Sequence, residues 1–405
     1  MKQHVVIIGH GFTSRLALIR SLAELGCEIT VVVTVLHGRL GRLVHFEGGR
    51  PVDCCSKYVS RYLYCAGQDE EALIGLLLSK CVRSGQKTIL VPDSDFSAAA
   101  VDRHQERLRE HFLFPHIGHK PGAVKHWMDK TVQKALAAEV GLPVAGGCTV
   151  PVRGGAYEMP AAVRYPCFTK PLATISGGKG FLRRCDDEAA LRRVLDGVAQ
   201  MFPDTDVLIE DYKPIDTEYA VVGFSDDEHV VIPGVIEFVE NCRSHFGIAR
   251  EGKIRPVAGF EDLLALFTEF VRRIGFCGLF DIDFWASGEV VYFDEMNFRF
   301  GGSGYAYTAA GANLPALFVR SLIGEPLSPP MVTKTASFVN ERMVIEDWNF
   351  LFLSTSEMRQ ILRDTDIHFV FDERDPGPQR RLRRYQRQIG IKRTLRKWKH
   401  WIASR

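Results

Sequence analysis

The chain has 405 residues, enough for two or three domains; 46% are hydrophobic and 25% charged, which is ordinary for a water-soluble globular protein and excludes a disordered or fibrous one. No apolar run approaches the roughly 20 residues of a membrane span, and the opening MKQHVVIIGHG has no signal-peptide form. Ten scattered cysteines without paired zinc spacing fit reduced thiols in a cytoplasmic protein. The net charge of +2 is unevenly placed. Residues 379–405 hold eleven Lys/Arg and no Asp/Glu, which leaves residues 1–378 with 40 basic against 49 acidic groups.

His4–Ile8, Gly9-His-Gly11, a helical stretch to Leu25 and Glu28–Val33 read as strand, glycine turn, helix, strand, the opening of an α/β unit. As a dinucleotide fingerprint the turn is incomplete: the third glycine is missing, and Thr34 stands where a ribose-binding acid would be. The glycines are equally explained by a tight turn. Lys57–Tyr64 reads as a strand, Asp69–Ser84 as an amphipathic helix, and Thr88–Val91 as a strand ending in Pro92-Asp93-Ser94-Asp95. Asp93 and Asp95 suit either contact with a polar substrate at a strand end or capping of the helix that follows.

Asp129 is an N-cap candidate for a helix running from Thr131 to Val140. Tyr165–Pro171 is a strand that ends in Lys170, and a lysine set among apolar strand residues has a reason to exist if it pairs with phosphate. The glycine-rich TISGGKGF follows, with Thr174, Ser176, Gly177, Gly178, Lys179 and Gly180; its backbone N–H groups can approach phosphate oxygens closely, although its spacing fits neither a Walker loop nor a Rossmann turn. Val207–Ile209 is a strand running into Glu210-Asp211-Tyr212, and Glu218 follows on another. Residues 241–255 are polar and basic, with Arg243 and His245 nearest a loop tip, where they face either an anionic reactant or solvent.

Gly278–Ala286 and Val290–Phe298 flank Ser287-Gly288 and read as a β-hairpin. Asp283 sits mid-run in the first strand. Glu295 and Asn297 share one face of the second, with Arg299 following on that face, while Asp294 and Met296 take the other. Acid and amide oxygens embedded in Phe, Ile, Trp and Val suit a hard cation such as Mg²⁺, and a guanidinium beside them suits an anionic reactant. Ser337–Phe352 and Ile367–Phe371 read as strands, with Ser354–Arg363 helical between them.

Asp283 with Glu295-Met-Asn297-Phe-Arg299 and Gly-Gly resembles the metal-binding end of ATP-grasp ligases, and the upstream pieces stand in that superfamily's order across residues 1–330. The resemblance implies an α/β (α+β ATP-grasp) fold: a Rossmann-like pre-ATP-grasp domain over residues 1–118, an ATP-grasp domain over 119–330 with a small lobe near 145–213, an extension over 331–378, and a basic tail over 379–405. It implies that Asp283, Glu295 and Asn297 hold Mg²⁺, with Mn²⁺ as a possible substitute, and that Lys130, Lys170 and the glycine loop hold ATP phosphates. Glu210, Asp211 and Tyr212 would take the adenine and Glu218 the ribose. Arg299, Lys170 and Arg243 would be catalytic. The activity implied is carboxylate–amine ligation through an acyl phosphate, with a non-catalytic ATP-binding module as the alternative. Ser56-Lys57-Tyr58-Val59, the Pro-Asp-Ser-Asp segment and the Gly-Gly after Arg299 resemble most the group that includes D-aspartate ligase. That points to small amine and carboxylate substrates, with a cell-envelope precursor among the candidates, and admits a homodimer.

The tail carries Leu382, Tyr385, Ile389, Leu395, Trp398 and Ile402 at roughly helical spacing among its cations. An anionic membrane surface at the inner face of the membrane and the chain's own acidic body are matching readings, and nucleic acid stands behind both.

Overall fold

The computed structural model describes residues 2–35, 50–171, 181–245 and 247–403. They divide into two compact units: Met1–Met128, Glu218–Asp283 and Met296–Arg405 form the first, and Asp129–Thr217 with Phe284–Glu295 form the second.

The first unit opens with a parallel sheet of β1 (His4–Gly9), β2 (Glu28–Val35), β3 (Val59–Ala66), β4 (Thr88–Pro92) and β5 (Phe112–Leu113), in the order 3-2-1-4-5. All six residues of β1 are buried, because crossover helices cover both faces of such a sheet. Val5 and Ile7 pack with Leu16 and Ile19 of α1 (Phe12–Ala23), while Val6 and Ile8 pack with Leu73, Ile74 and Leu77 of α2 (Glu70–Lys80). Asp69 caps α2 by accepting from the Ala72 N–H.

A second, mostly antiparallel sheet runs β16 (Val290–Asn297), β15 (Phe276–Ser287), β11 (Thr217–Ser225), β13 (Val235–Asn241), β14 (Ala249–Arg255), β17 (Ala336–Val339), β18 (Ile367–His368). The expected hairpin is β15 and β16, turned at Gly288, whose φ of 57° favours glycine. The hairpin tip, Phe284–Glu295, belongs to the second unit. A methyl group at Gly223 of β11 would overlap the buried Phe280 ring of β15. Gly223→Ala is therefore expected to cost about 1–3 kcal/mol by overpacking, read as a lower denaturation midpoint in urea. Phe280→Leu in the same chain should recover part of the loss, and an unchanged midpoint for the single variant would contradict this packing.

Within the polar and basic 241–255 stretch, Arg243 and His245 lie outside any strand, β14 begins at Ala249, and Arg250 is buried in an ion pair with Asp347 at 2.9 Å. One local expectation fails. The expected strand Ser337–Phe352 stops at Val339 and becomes α11 (Glu341–Asn349). Its polar residues are held by partners distant in sequence. Glu341 is fully buried and accepts from the N–H groups of Val370 and Phe371, and Asp347 accepts from that of Ser244 at 2.8 Å.

Residues 379–403 of the tail lie within one helix, Pro376–Ala403. Leu382 and Ile389 are buried in the core of the first unit, and the Tyr385 hydroxyl donates to Glu346 at 2.7 Å. Gly390 does not break the helix; it faces Trp348. The first half of the tail thus docks on the chain's own body.

The second unit is an antiparallel sheet of β7 (Gly147–Val152), β10 (Thr205–Asp211), β8 (Cys167–Pro171) and β9 (Arg183–Cys185), in that order. Residues Leu191, Val194, Leu195 and Val198 of the helix Glu188–Met201 pack on it beside Val207 and Ile209. Asp187 caps that helix from the Ala190 N–H at 2.7 Å.

Candidate active site

Alternation along β8 and β10 places Lys170 and Glu210. Ile209 and Val207 face the helix, so Glu210 and Leu208 face the other way, opposite Phe168 and Lys170. The Lys170 Nζ lies 2.9 Å from Glu210 Oε2 and also pairs with Asp294. The helix Lys130–Glu139 starts at Asp129, which accepts from Thr131 N at 2.8 Å, as expected for an N-cap. One turn apart on this helix, Lys130 reaches Glu295 at 2.7 Å and Lys134 pairs with Glu210. Three ammonium groups therefore meet three carboxylates within the second unit, and most of them are largely buried.

The electrostatics are tightly balanced. Burial opposes the charge on Asp294, yet Lys170, Lys130 and Lys134 hold its carboxyl well below the usual range. Burial, together with Lys170 and Lys130, pushes Lys134 down to about 7 against the pull of Asp294 and Glu295. Lys134 and Asp294 were not anticipated as site residues. An i, i+4 lysine pair on a helix is also what a solvated face looks like, and Asp294 does lie on the strand face opposite Glu295 and Asn297.

In the first unit a second chain of polar contacts forms. Asn297 Nδ2 donates to Asp283 Oδ2 at 3.2 Å, and Arg299 donates to Asn297 Oδ1 at 3.3 Å and to Asp95 Oδ1 at 2.9 Å. Burial opposes the Arg299 charge, but Asp95, Asp281 and Asp93 stabilise it beyond its ordinary range. Asp93 and Asp95 do not cap the helix Asp95–Arg103. Ser94 does, accepting from Ser97 N at 3.2 Å in a reciprocal capping box, because it stands at the N-cap position, with Asp93 before it and Asp95 the first helical residue.

The remaining predicted residues are spread out. Glu218 accepts from Asn241 in the first unit. Asp211 is 3.5 Å from Arg164, and the Arg184 guanidinium lies 4.5 Å from the Tyr212 ring centroid. Arg243 lines a cavity of about 520 Å³ in the first unit with Arg250, Phe338, Phe352 and Glu357, and none of Asp283, Asn297 and Arg299 lines it. Its backbone N–H is fixed by Asp347 at 3.2 Å. Thr174, Ser176, Gly177, Gly178, Lys179 and Gly180 lie outside the described residues.

Among the described residues no group of three or more His, Cys, Asp or Glu is arranged to hold a metal ion. The expected set contains only two carboxylates and an amide, which matches the habit of Mg²⁺ to take one or two carboxylates and complete its shell with phosphate and water. Because the lysines are already neutralised by acids, a triphosphate would bring uncompensated negative charge, which a divalent cation would offset.

Parallel sheet, small antiparallel lobe and acid-bearing hairpin together make the fold that of the ATP-grasp enzymes. Solved structures sharing it include the ADP complex of an N5-carboxyaminoimidazole ribonucleotide synthetase, at a TM-score of 0.65 and 17% identity, covering 89% of this chain and 85% of that one. Biotin carboxylase from Campylobacter jejuni, in a β,γ-ATP complex, gives 0.61 and 16%, covering 82% and 74%. L-amino acid ligase from Bacillus licheniformis gives 0.60 and 16%, covering 83% and 80%. In sequence, the chain is similar to the carbamoyl phosphate synthase large chains of Gemmatimonas aurantiaca (24% over 216 residues, 52% of this chain and 20% of that one) and Halobacterium salinarum (29% over 189 residues, 45% and 18%). The chain spans about a fifth of the length of these relatives. No family model matches it.

Proposed function

We propose that this chain is an ATP-dependent carboxylate–amine ligase that forms an amide or peptide bond and releases ADP and phosphate. The observation that carries the proposal is the convergence of Lys130, Lys134 and Lys170 on Glu210, Asp294 and Glu295. On this reading Lys130 and Lys170 hold phosphate oxygens, joined by Thr174, Ser176, Lys179 and the backbone of Gly177, Gly178 and Gly180. Glu210, Asp211, Tyr212 and Glu218 take the nucleoside. Asp283, Glu295 and Asn297 hold Mg²⁺, which when bound neutralises charge on the phosphates. A substrate carboxylate oxygen attacks the γ-phosphorus, the bond to the β-phosphate oxygen breaks, and an acyl phosphate forms as ADP leaves. Arg299 orients that acyl phosphate. The amine nitrogen then attacks the carbonyl carbon, phosphate departs, and the nitrogen gives up a proton. The protein's part is positioning and charge compensation.

An amino acid is the amine favoured by the D-aspartate ligase-like segments, which include Asp93 and Asp95. The test is ADP release with Mg²⁺ across a matrix of amino acids and carboxylates. ADP formation that needs both an acid and an amine is expected; ADP formation indifferent to both would leave an ATPase, and none from any pair would leave only a nucleotide-binding module.

No helix among the described residues is long and apolar enough to cross a membrane. Peripheral attachment through the tail is best tested by truncation after Gly390, since removal from Gln379 would also strip Leu382, Tyr385 and Ile389 from the core. The membrane reading expects salt-sensitive binding to anionic vesicles that disappears with residues 391–405. Binding that survives the truncation would end that reading.

A further inference from the structure

The parallel sheet of the first unit reverses its strand order between β1 and β4. In open sheets of this kind ligands sit at the carboxyl ends of the strands at such a reversal. Here those ends carry Gly9-His10-Gly11 and Pro92-Asp93-Ser94-Asp95, tied together by the Asp93 N–H donating to Ile8 O at 2.7 Å. A Cβ at Gly9 would lie 2.8 Å from that of Asp93, so glycine is needed there to leave the acid room.

Asp93 is only 5% exposed, and among the described residues neither of its carboxylate oxygens has a hydrogen-bond partner. Its neighbours are engaged elsewhere. Arg15 is committed to Asp53 at 2.7 Å and to the Gly9 carbonyl at 2.7 Å, and Arg299 to Asp95 and Asn297. The Ser14 hydroxyl is near enough to favour the ionised acid. Arg15 is matched by Asp53, while Arg299 faces Asp95, Asp281 and Asp93 together, so the acids outnumber the guanidinium groups, and Asp93 keeps both oxygens without a hydrogen-bond donor among the described residues. Burial, opposed chiefly by Arg15, pushes its carboxyl up to about 7.

We propose that Asp93 is the receptor for the ammonium group of the amine substrate, bound at the strand-order reversal with Asp95 and Arg299 at its rim. An ammonium has three N–H donors and no acceptor, which complements a buried carboxylate that has two acceptors and no donor. Its positive charge offsets part of the excess negative charge that these acids leave. The assignment rests on the ligase reading for calling this amine a substrate; the receptor itself is a binding claim that can fail separately.

The test is isothermal titration of the full chain with ethylamine, ethanolamine and glycine, each beside its counterpart lacking the ammonium: ethanol, ethylene glycol and glycolate. At least one amine is expected to bind while its counterpart does not. Asp93→Asn, which keeps the shape, is expected to weaken that amine at least tenfold and to leave the affinity for a Mg²⁺-bound non-hydrolysable ATP analogue unchanged. Should the variant fail to fold, the wild-type chain still decides. Amine affinity should fall at least tenfold from pH 8 to pH 5.5 as Asp93 takes up a proton among Arg15, Asp53 and Arg299, while the counterparts stay flat. The proposal is overturned if no amine binds, if the counterparts bind equally, if affinity ignores pH, or if Asp93→Asn merely lowers stability and keeps amine affinity, in which case the acid only balances Arg15. Failure of the ATP analogue to bind the wild-type chain would count against the ligase reading alone.

Discussion

Glu295→Gln is expected to lower ATP-dependent phosphate release by two to three orders of magnitude in a chain that remains folded. The substitution keeps the side chain's shape and removes its charge. On the ligase reading that charge is one of two carboxylates holding Mg²⁺, and loss of a single preorganised electrostatic group in an active site costs roughly 10²–10³ in rate. The ion pair to Lys130 at 2.7 Å is also lost, but the two side chains are 28% and 18% exposed. At that exposure the pair lies between a surface and a buried one, so its loss should cost about 1–3 kcal/mol, which a chain of ordinary stability tolerates. Phosphate release and the urea midpoint measured on the same preparation separate the two effects. Turnover within threefold of the parent would remove Glu295 from the metal set.

Arg15→Met is expected to destabilise the first unit by about 3–5 kcal/mol, the usual consequence of removing one partner of a buried ion pair. The Arg15 guanidinium donates to both Asp53 carboxylate oxygens, at 2.7 and 3.1 Å, and to the Gly9 carbonyl at 2.7 Å. Both side chains are essentially inaccessible, at 1% and 0%. Burial disfavours the cation, and Asp53 more than compensates, so Arg15 is charged at any working pH. Removing it leaves the Asp53 carboxylate buried without its fork. Arg15→Met combined with Asp53→Leu should recover most of the loss, because an apolar pair of similar volume needs no solvation. Urea denaturation of the two variants is the measurement; a single-variant loss below about 1 kcal/mol would show that the pair is not what holds α1 against the turn at Asp53.

Much of the architecture was legible in residue patterns. Val5–Ile8 of β1, Val31–Val33 of β2 and Ile89–Val91 of β4 are unbroken apolar runs, as sheets covered on both faces favour. The β15–β16 hairpin announced itself by alternation around Gly288, and the helix after Asp129 by its cap. The Asn297–Arg299 contact follows from two residues of one face being two positions apart. The α11 segment was misread because Phe338, Val339, Val344 and Ile345 look as apolar as a strand. Its acids gave no local hint of the arginine and backbone donors that make them tolerable inside. The chain likewise gave no sign that Arg243 would line a separate cavity, since a basic loop and a strand flanked by a buried arginine read alike.

The sequence by itself determined the order of elements, the fold class, and the residue types able to handle phosphate and a divalent cation. These depend on short-range periodicity and on glycine, proline and cap positions, all written locally in the chain. Tertiary structure alone decided which charges meet: Lys134 with Glu210, Asp294 with Lys170, Arg15 with Asp53, and Asp93 near Arg15 with no hydrogen-bond donor among the described residues. A charge's effect depends on its depth and on its neighbours' distances, and both are set only when segments far apart in the chain pack together.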